Sequence, residues 1–225
     1  MKKLFLLLAA ATLSLPYAMA QDVDVFVKGG VGISNWIGND AGGLDPKFSS
    51  RVGVGLDVHG KKVWGIRTGL NFAVMGMSFN PDYILSGYSR QDIDCKVNQM
   101  YFELPLMTTA TVGLNDNVDM VIGFGPYMAA GIGGKTSASV DLDGKYISVG
   151  ADTFGNEDDG NFGVKRFDLG LGVDFNFEIK RIIFGLDMRF GFIKLVDKRT
   201  YETLRFVMNS EVRNFSSCIV VGYRF

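Results

Sequence analysis

From residue 166 to residue 178 the chain alternates without a break. Phe167, Leu169, Leu171, Val173, Phe175 and Phe177 share one face, while Arg166, Asp168, Gly170, Gly172, Asp174, Asn176 and Glu178 share the other. A period of two, with one apolar face and one charged or empty face, predicts a strand. The same pattern recurs along the chain and predicts eight strands, near 24–35, 50–59, 63–75, 99–112, 118–132, 164–179, 181–194 and 211–225. Their connections alternate in length. His59 to Lys62, Gly113 to Asn117 and Lys180-Arg181 are short, whereas about 36–49, 76–98, 133–163 and 195–210 are long. An even number of strands, with short turns at one end and long loops at the other, predicts an all-β fold. Its form is an eight-stranded antiparallel up-and-down transmembrane β-barrel, with short periplasmic turns and four long extracellular loops.

Alternation alone does not say which face looks outward, but side-chain volume does. Roughly forty bulky apolar residues share one face, and the interior of an eight-stranded barrel is only just wide enough for its own side chains. The opposite face carries Gly30, Gly32, Gly53, Gly55, Gly65, Gly69, Gly123, Gly125, Gly131, Gly170, Gly172, Gly185, Gly191 and Gly222, which leave room for long charged neighbours. The polar face is therefore expected to be concave and the apolar face to meet lipid. A soluble lipocalin-like barrel would reverse the faces, and a two-sheet sandwich would also retain this much apolar surface. Aromatic residues near strand ends, Trp36, Trp64, Tyr223 and Phe225, fit interfacial girdles. Pro105 and Pro126 fall inside adjacent strands and cannot donate ladder hydrogen bonds, so bulges or missing pairs are expected there.

The N-terminus adds a leader. Lys2 and Lys3 precede an apolar run from Leu4 to Leu15, and Ala18-Met19-Ala20 supplies a small-x-small cleavage site. That run is nearer 12 residues than the roughly 20 that span a bilayer. Residues 1–20 are expected to be a cleaved signal peptide, with the mature barrel domain, 21–225, starting at Gln21 and residing in a bacterial outer membrane. Cleavage removes two of the 23 basic residues and none of the 24 acidic ones, which moves the net charge from −1 to 21 minus 24, or −3. Nothing in that balance calls for a nucleic-acid partner. Of the two cysteines, Cys95 is expected in a polar loop and Cys218 in mid-strand, too far apart for a bridge, so both are read as free thiols.

The inward positions hold Lys28, Arg51, Asp57, Arg67, Glu103, Arg166, Asp168, Asp174, Glu178, Asp187, Arg189 and Arg224. Mixed signs in a narrow lumen favour paired charges that block flow, because an unpaired buried charge costs several kcal/mol. The alternative is a thin ion path lined by the same groups. His59, the sole histidine, sits at a short turn beside Gly60-Lys61-Lys62 and reads as solvated. No nucleophile, base and orienting partner can be assembled around it at the outer leaflet, so no catalytic residue is expected. Residues 152–161 cluster carboxylates with glycines, but their spacing matches no standard calcium loop, and neither a metal nor a cofactor is expected. In the same connection, Asp143-Gly144 between alternating arms predicts a hairpin. That hairpin and the apolar Phe79, Tyr83, Ile84, Leu85 and Tyr88 of the second long loop are handles for an extracellular or envelope partner.

Four segments carry a resemblance. Tyr101-Phe102-Glu103-Leu104-Pro105-Leu106, Gly123-Phe124-Gly125-Pro126-Tyr127, Arg166 to Gly172, and Val221-Gly222-Tyr223-Arg224-Phe225 resemble the PorT-like outer-membrane β-barrel family of Bacteroidetes-type bacteria. These are strand-packing signatures rather than catalytic ones. The resemblance implies handling by periplasmic chaperones and insertion by the barrel-assembly machinery. The final strand would be recognised through Phe215, Ile219, Val221, Tyr223 and Phe225. A role in secretion, which belongs to the name-giving relative, does not follow. The expected function is a non-enzymatic outer-membrane barrel in contact with membrane lipid, whose loops serve a structural or partner-binding role. The alternatives are a narrow channel and an accessory part of a secretion system.

Overall fold

In a computed structural model, the residues described are 22–38, 44–60, 63–79, 93–142, 145–196 and 211–225. The leader and Tyr83, Ile84, Leu85 and Tyr88 lie outside them. The strands are β1 (Asp22–Ile37), β2 (Leu44–His59), β3 (Trp64–Phe79), β4 (Ile93–Asn115), β5 (Val118–Gly133), β6 (Lys135–Leu142), β7 (Lys145–Asp152), β8 (Phe167–Ile179), β9 (Ile182–Gly191) and β10 (Arg213–Arg224). Among the described residues, eight of them form an antiparallel barrel in which β1 to β5 and then β8 to β10 pair in chain order. The ladder of β1 with β10, from Phe26↔Arg224 to Ile37↔Arg213, closes it. Closure leaves no barrel edge, so each of the eight barrel strands is flanked by a partner on both sides, as lipid demands.

Burial alternates as the sequence does. On β8 the even-numbered residues from Asp168 to Glu178 are buried, and Phe167, Phe175 and Ile179 are exposed. On β1 it is Val23, Val25, Val27, Val31 and Ile33 that face outward. The apolar face therefore meets lipid and the glycine-rich face lines the lumen. The structure corrects the reading of one girdle residue: Trp64 is exposed, but Trp36 is 1% exposed and points inward.

Several strands run longer than the alternation alone suggested. The 16-residue β1, β2, β3 and β5 exceed the 9–11 residues that cross a bilayer, so they project beyond it at the long-loop end. Phe79 and Cys95, expected in a loop, are paired neighbours on β3 and β4, and Phe79 is buried. Past the barrel, the first residues of β4 exchange β5 for β6, pairing from Ile93↔Val140 to Val97↔Thr136. The β6–β7 hairpin extends this sheet, its arms paired from Lys135↔Asp152 to Leu142↔Lys145, while Asp143-Gly144, where the turn is expected, lie outside the described residues. A bulge at Met100/Tyr101 marks the exchange.

The two prolines leave gaps rather than bulges. The β3–β4 ladder passes from Thr68↔Leu106 to Asn71↔Glu103, and the β4–β5 ladder from Pro105↔Tyr127 to Thr108↔Phe124, each without a shift of register. Proline lacks the N–H that would fill those rungs. Beside the gap, the Thr68 hydroxyl donates to the Pro105 carbonyl at 2.8 Å. At the opposite end the chain reverses within Lys180-Arg181, where Lys180 takes φ 57°, a left-handed conformation that shortens the turn.

The orientation of the faces predicts a depth-dependent penalty. Val173→Arg, on the lipid face of mid-β8, should destabilise the barrel in vesicles by about 2–4 kcal/mol, and Ile37→Arg near the rim by about 0–1 kcal/mol. Urea titration followed by heat-modifiable gel migration measures both. Equal costs at the two depths would contradict the membrane placement.

Candidate functional site: a lumen filled in two layers

At the short-turn end the lumen holds a network of ion pairs. Arg67 donates from Nη2 to Glu178 at 2.7 Å and from Nε to Asp57 at 3.1 Å. Arg224 pairs with Glu178 and, at 3.4 Å, with Asp24, which also meets His59 Nε2 at 3.1 Å. His59 is thus a half-buried partner at the barrel's lower rim rather than a freely solvated turn residue. One level higher, Lys28 reaches Asp187 at 2.7 Å and Asp174 at 3.8 Å, and Arg189 donates to Asp174 at 2.6 Å. Arg51 grips both oxygens of Glu103 at 2.8 and 3.3 Å and donates to Ser216 at 2.9 Å. The fork geometry of arginine suits such bidentate contacts.

The empty positions on this face are occupied by neighbours. A Cβ on Gly172 would come within 2.8 Å of Arg189 Nη1, and one on Gly55 would overlap the Phe26 ring. That ring lies 5.2 Å from the Arg67 guanidinium and 6.0 Å from the Lys28 ammonium. Phe26 is the one aromatic ring inside the charged layer among the described residues, and it offers the cations its π face.

Asp168 differs from the other lumen carboxylates. Among the described residues its partners are neutral: the Tyr127 hydroxyl donates at 3.1 Å, Asn214 Nδ2 at 2.9 Å and the Leu169 N–H at 2.9 Å. Asn214 also donates to the Tyr101 hydroxyl, which accepts from Gln99, whose carbonyl in turn accepts from Trp36 Nε1 at 3.1 Å. This chain of neutral groups forms the boundary of the charged layer.

Above it the lumen turns apolar. Trp36, Ala73, Met75, Met77, Phe79, Val97, Tyr101, Tyr127 and Ala129 point inward from the strands, and Phe154, Val164, Leu195, Val196 and Val212 close over them from the long connections. Phe154 packs edge-on against Tyr101 with ring centroids 5.3 Å apart. Short bridges hold this cap together: Val164 N–H to Thr153 O at 3.0 Å, Lys165 N–H to Leu195 O at 2.8 Å and Leu195 N–H to Val212 O at 3.0 Å.

Of the twelve positions read as lumen charges, eleven line the interior and one does not. Arg166 is exposed, because β8 begins only at Phe167 and the chain before it has left the barrel wall. Its Nη1 reaches Gly131 O at 3.4 Å and its guanidinium lies 5.7 Å from the Phe154 ring. The reading of the sequence missed the tyrosine–amide chain, although Tyr101 and Tyr127 share inward parity with Glu103 and Gly125. It also missed the cap, whose residues lie in irregular segments without period. Cys95 and Cys218 are both free, and Ser49 Oγ lies 3.4 Å from Cys218 Sγ. On the part of β4 beyond the barrel, burial with help from Asp94 pushes the Cys95 thiol up, which keeps it protonated and poorly nucleophilic at neutral pH. Among the described residues no group of three His, Cys, Asp or Glu stands close enough to hold a metal ion.

A closed antiparallel barrel with a lipid-facing apolar surface and a packed lumen defines a small membrane-spanning β-barrel protein. The chain belongs to the outer membrane protein beta-barrel domain family, whose model matches residues 19–197, and the protein is one of the bacterial outer membrane. Among solved structures it is similar to the attachment invasion locus protein Ail of Yersinia pestis (15% identity, TM-score 0.41, 91% of this chain and 100% of that one). It is also similar to Neisserial surface protein A (13%, 0.43, 91% and 100%) and to OprG of Pseudomonas aeruginosa (10%, 0.44, 92% and 98%). No curated protein matches the chain.

The two layers respond differently to substitution. Glu103→Leu leaves Arg51 buried without its counter-charge and should cost about 3–5 kcal/mol, whereas Arg51→Met/Glu103→Leu should recover most of that loss. Urea unfolding of the single and double variants is the measurement, and an equal loss in both would argue against pairing as the source of stability. Gly131→Ala would bring a Cβ within 2.5 Å of the Phe154 ring. It should loosen the cap, seen as faster protease cleavage within 153–166 in a barrel that still migrates as folded.

Proposed function

We propose that the protein is a non-enzymatic outer-membrane barrel whose working surface is its extracellular end, where the β6–β7 hairpin and the neighbouring long loops engage a partner. The observation that carries this reading is the occupied lumen: among the described residues a cross-paired ion layer lies under an apolar cap, and side chains of both layers take up a bore that has little room to spare. Recognition then falls to what projects beyond the cap. The hairpin supports this assignment because it is ordered by its own ladder and presents Ile147 and Val149 at 50% and 70% exposure.

The same reading includes a signal peptide removed between Ala20 and Gln21, placement among PorT-like barrels, and insertion by the barrel-assembly machinery. The outward row Phe215, Ile219, Val221, Tyr223 and Phe225 on and just after β10, interrupted by Ser217, offers that machinery an apolar face.

Replacing Ser139 to Ser148 with a short Asn-Gly turn should leave a folded, heat-modifiable barrel and abolish capture of envelope or extracellular proteins from intact cells. Failure of the trimmed chain to fold would overturn the separation of barrel from loops. The filled lumen predicts silent planar bilayers. Reproducible conductance that changes with Arg67→Gln or Asp168→Asn would replace this reading with a channel.

A further inference from the structure

Above the lipid-facing end of β8 the chain changes character within two residues. Phe167 and Phe192 are exposed side chains at the top of the barrel wall, at 48% and 52%, with Ile132 at 47% on neighbouring β5. Apolar and aromatic residues at that height mark the outer boundary of the hydrocarbon. Immediately beyond them stands Arg166. Its backbone carbonyl accepts from the Gly131 N–H at 2.5 Å, its guanidinium touches the Gly131 carbonyl and it rests near the buried Phe154 ring. The cation is thus tied to the end of β5 and to the Phe154 ring rather than carried on a free loop.

Arg166 forms one wall of a cleft of about 440 Å³ whose other walls are Gly155, Asn156, Asp159, Asn161, Gly163, Val164 and Lys165. The floor is shaped by backbone bonds that converge on the Asn156 carbonyl from Asp159 and Asn161, and by the Asn161 side chain, which donates to the same carbonyl at 3.2 Å. Gly155 and Gly163 hold left-handed φ values of 130° and 92°, which few other residues would accept. The lining is polar and mixed: two cations, one carboxylate and two amides. A guanidinium selects phosphate through paired N–H donors, while a carboxylate and amides together suit hydroxyl and N-acyl groups. A bare anion would be repelled by Asp159, and an apolar ligand would find Val164 as the one apolar side chain in the lining.

The geometry points to this cleft as a site for a phosphorylated amino sugar, presented as the headgroup of an outer-leaflet glycolipid, with the phosphate on Arg166 and the sugar hydroxyls on Asp159, Asn156 and Asn161. The membrane source follows from position, since Arg166, one wall of the cleft, directly precedes Phe167, the exposed first residue of β8 on the lipid face. The inference goes beyond the partner-binding reading and shares with it only the outward placement of these loops.

The test is native mass spectrometry of the purified full chain in detergent with three probes: lipid A, lipid A stripped of both phosphates, and glucosamine 1-phosphate. One lipid A should be retained per barrel, Arg166→Gln should weaken retention about tenfold, as loss of one charge-assisted contact does, and Asn161→Ala should weaken it severalfold. Lys194→Gln, an exposed cation outside the cleft and paired with Glu211, should change nothing. Heat-modifiable migration verifies that each variant is folded. Retention of the dephosphorylated lipid as strong as that of lipid A, or indifference to both Arg166→Gln and Asn161→Ala, would overturn the site. Binding of glucosamine 1-phosphate as tight as lipid A would overturn the membrane source. A Lys194→Gln loss as large as that of Arg166→Gln would reduce the effect to general surface charge.

Discussion

The narrow bore of an eight-stranded barrel is the constraint from which the rest of this structure follows. Closing eight strands leaves an interior with room for side chains and little else, so each inward residue must be small, or matched to whatever faces it. Gly172 yields its volume to Arg189, and Gly55 to Phe26. Charges that enter this space must also meet their opposites, because desolvation would otherwise dominate. Arg51 with Glu103 and Arg67 with Glu178 meet that demand across the bore, joining strands that are not neighbours in the wall, while Asp57 faces Arg67 from the adjacent strand. The lumen is therefore a set of transverse ties as well as a filling.

Lipid applies the complementary pressure from outside. Over the part of each strand that crosses the membrane, outward positions must be apolar and inward ones need not be. Past the hydrocarbon the requirement lapses, and the wall continues upward with its interior turned apolar around Trp36, Met77 and Phe79. The molecule thus changes its solvent logic partway along the same strands: membrane barrel below, small soluble-type core above. Asp168 and its tyrosine and amide partners stand where the two regimes meet.

The membrane part was the legible part. A period of two, maintained by lipid on one face and crowding on the other, gave the strand number, the alternation of turns and loops, the orientation of the faces and the inward place of residues such as Glu103 and Asp187. What lay beyond lipid was much less readable. Strand ends were drawn short at Phe79 and Cys95 because no medium enforces alternation there. Trp36 has the chemistry of an interfacial ring and gives no local sign that it turns inward to Gln99. Arg166 keeps the parity of the strand that follows it although the wall begins one residue later. Phe154, Leu195 and Val212 reach the cap from segments with no period, so only the assembled chain brings them together.

Thr153 connects the two parts of the extracellular end. Its N–H bonds to Gly134 at the foot of the hairpin, and its hydroxyl bonds to Asn98 on β4 and lies 3.1 Å from that of Thr136 on β6. The next residue is Phe154, the ring that seals the mouth. A pull on the hairpin is thereby applied one peptide away from the seal, as a bottle opener's handle acts on the crown through a single short lip.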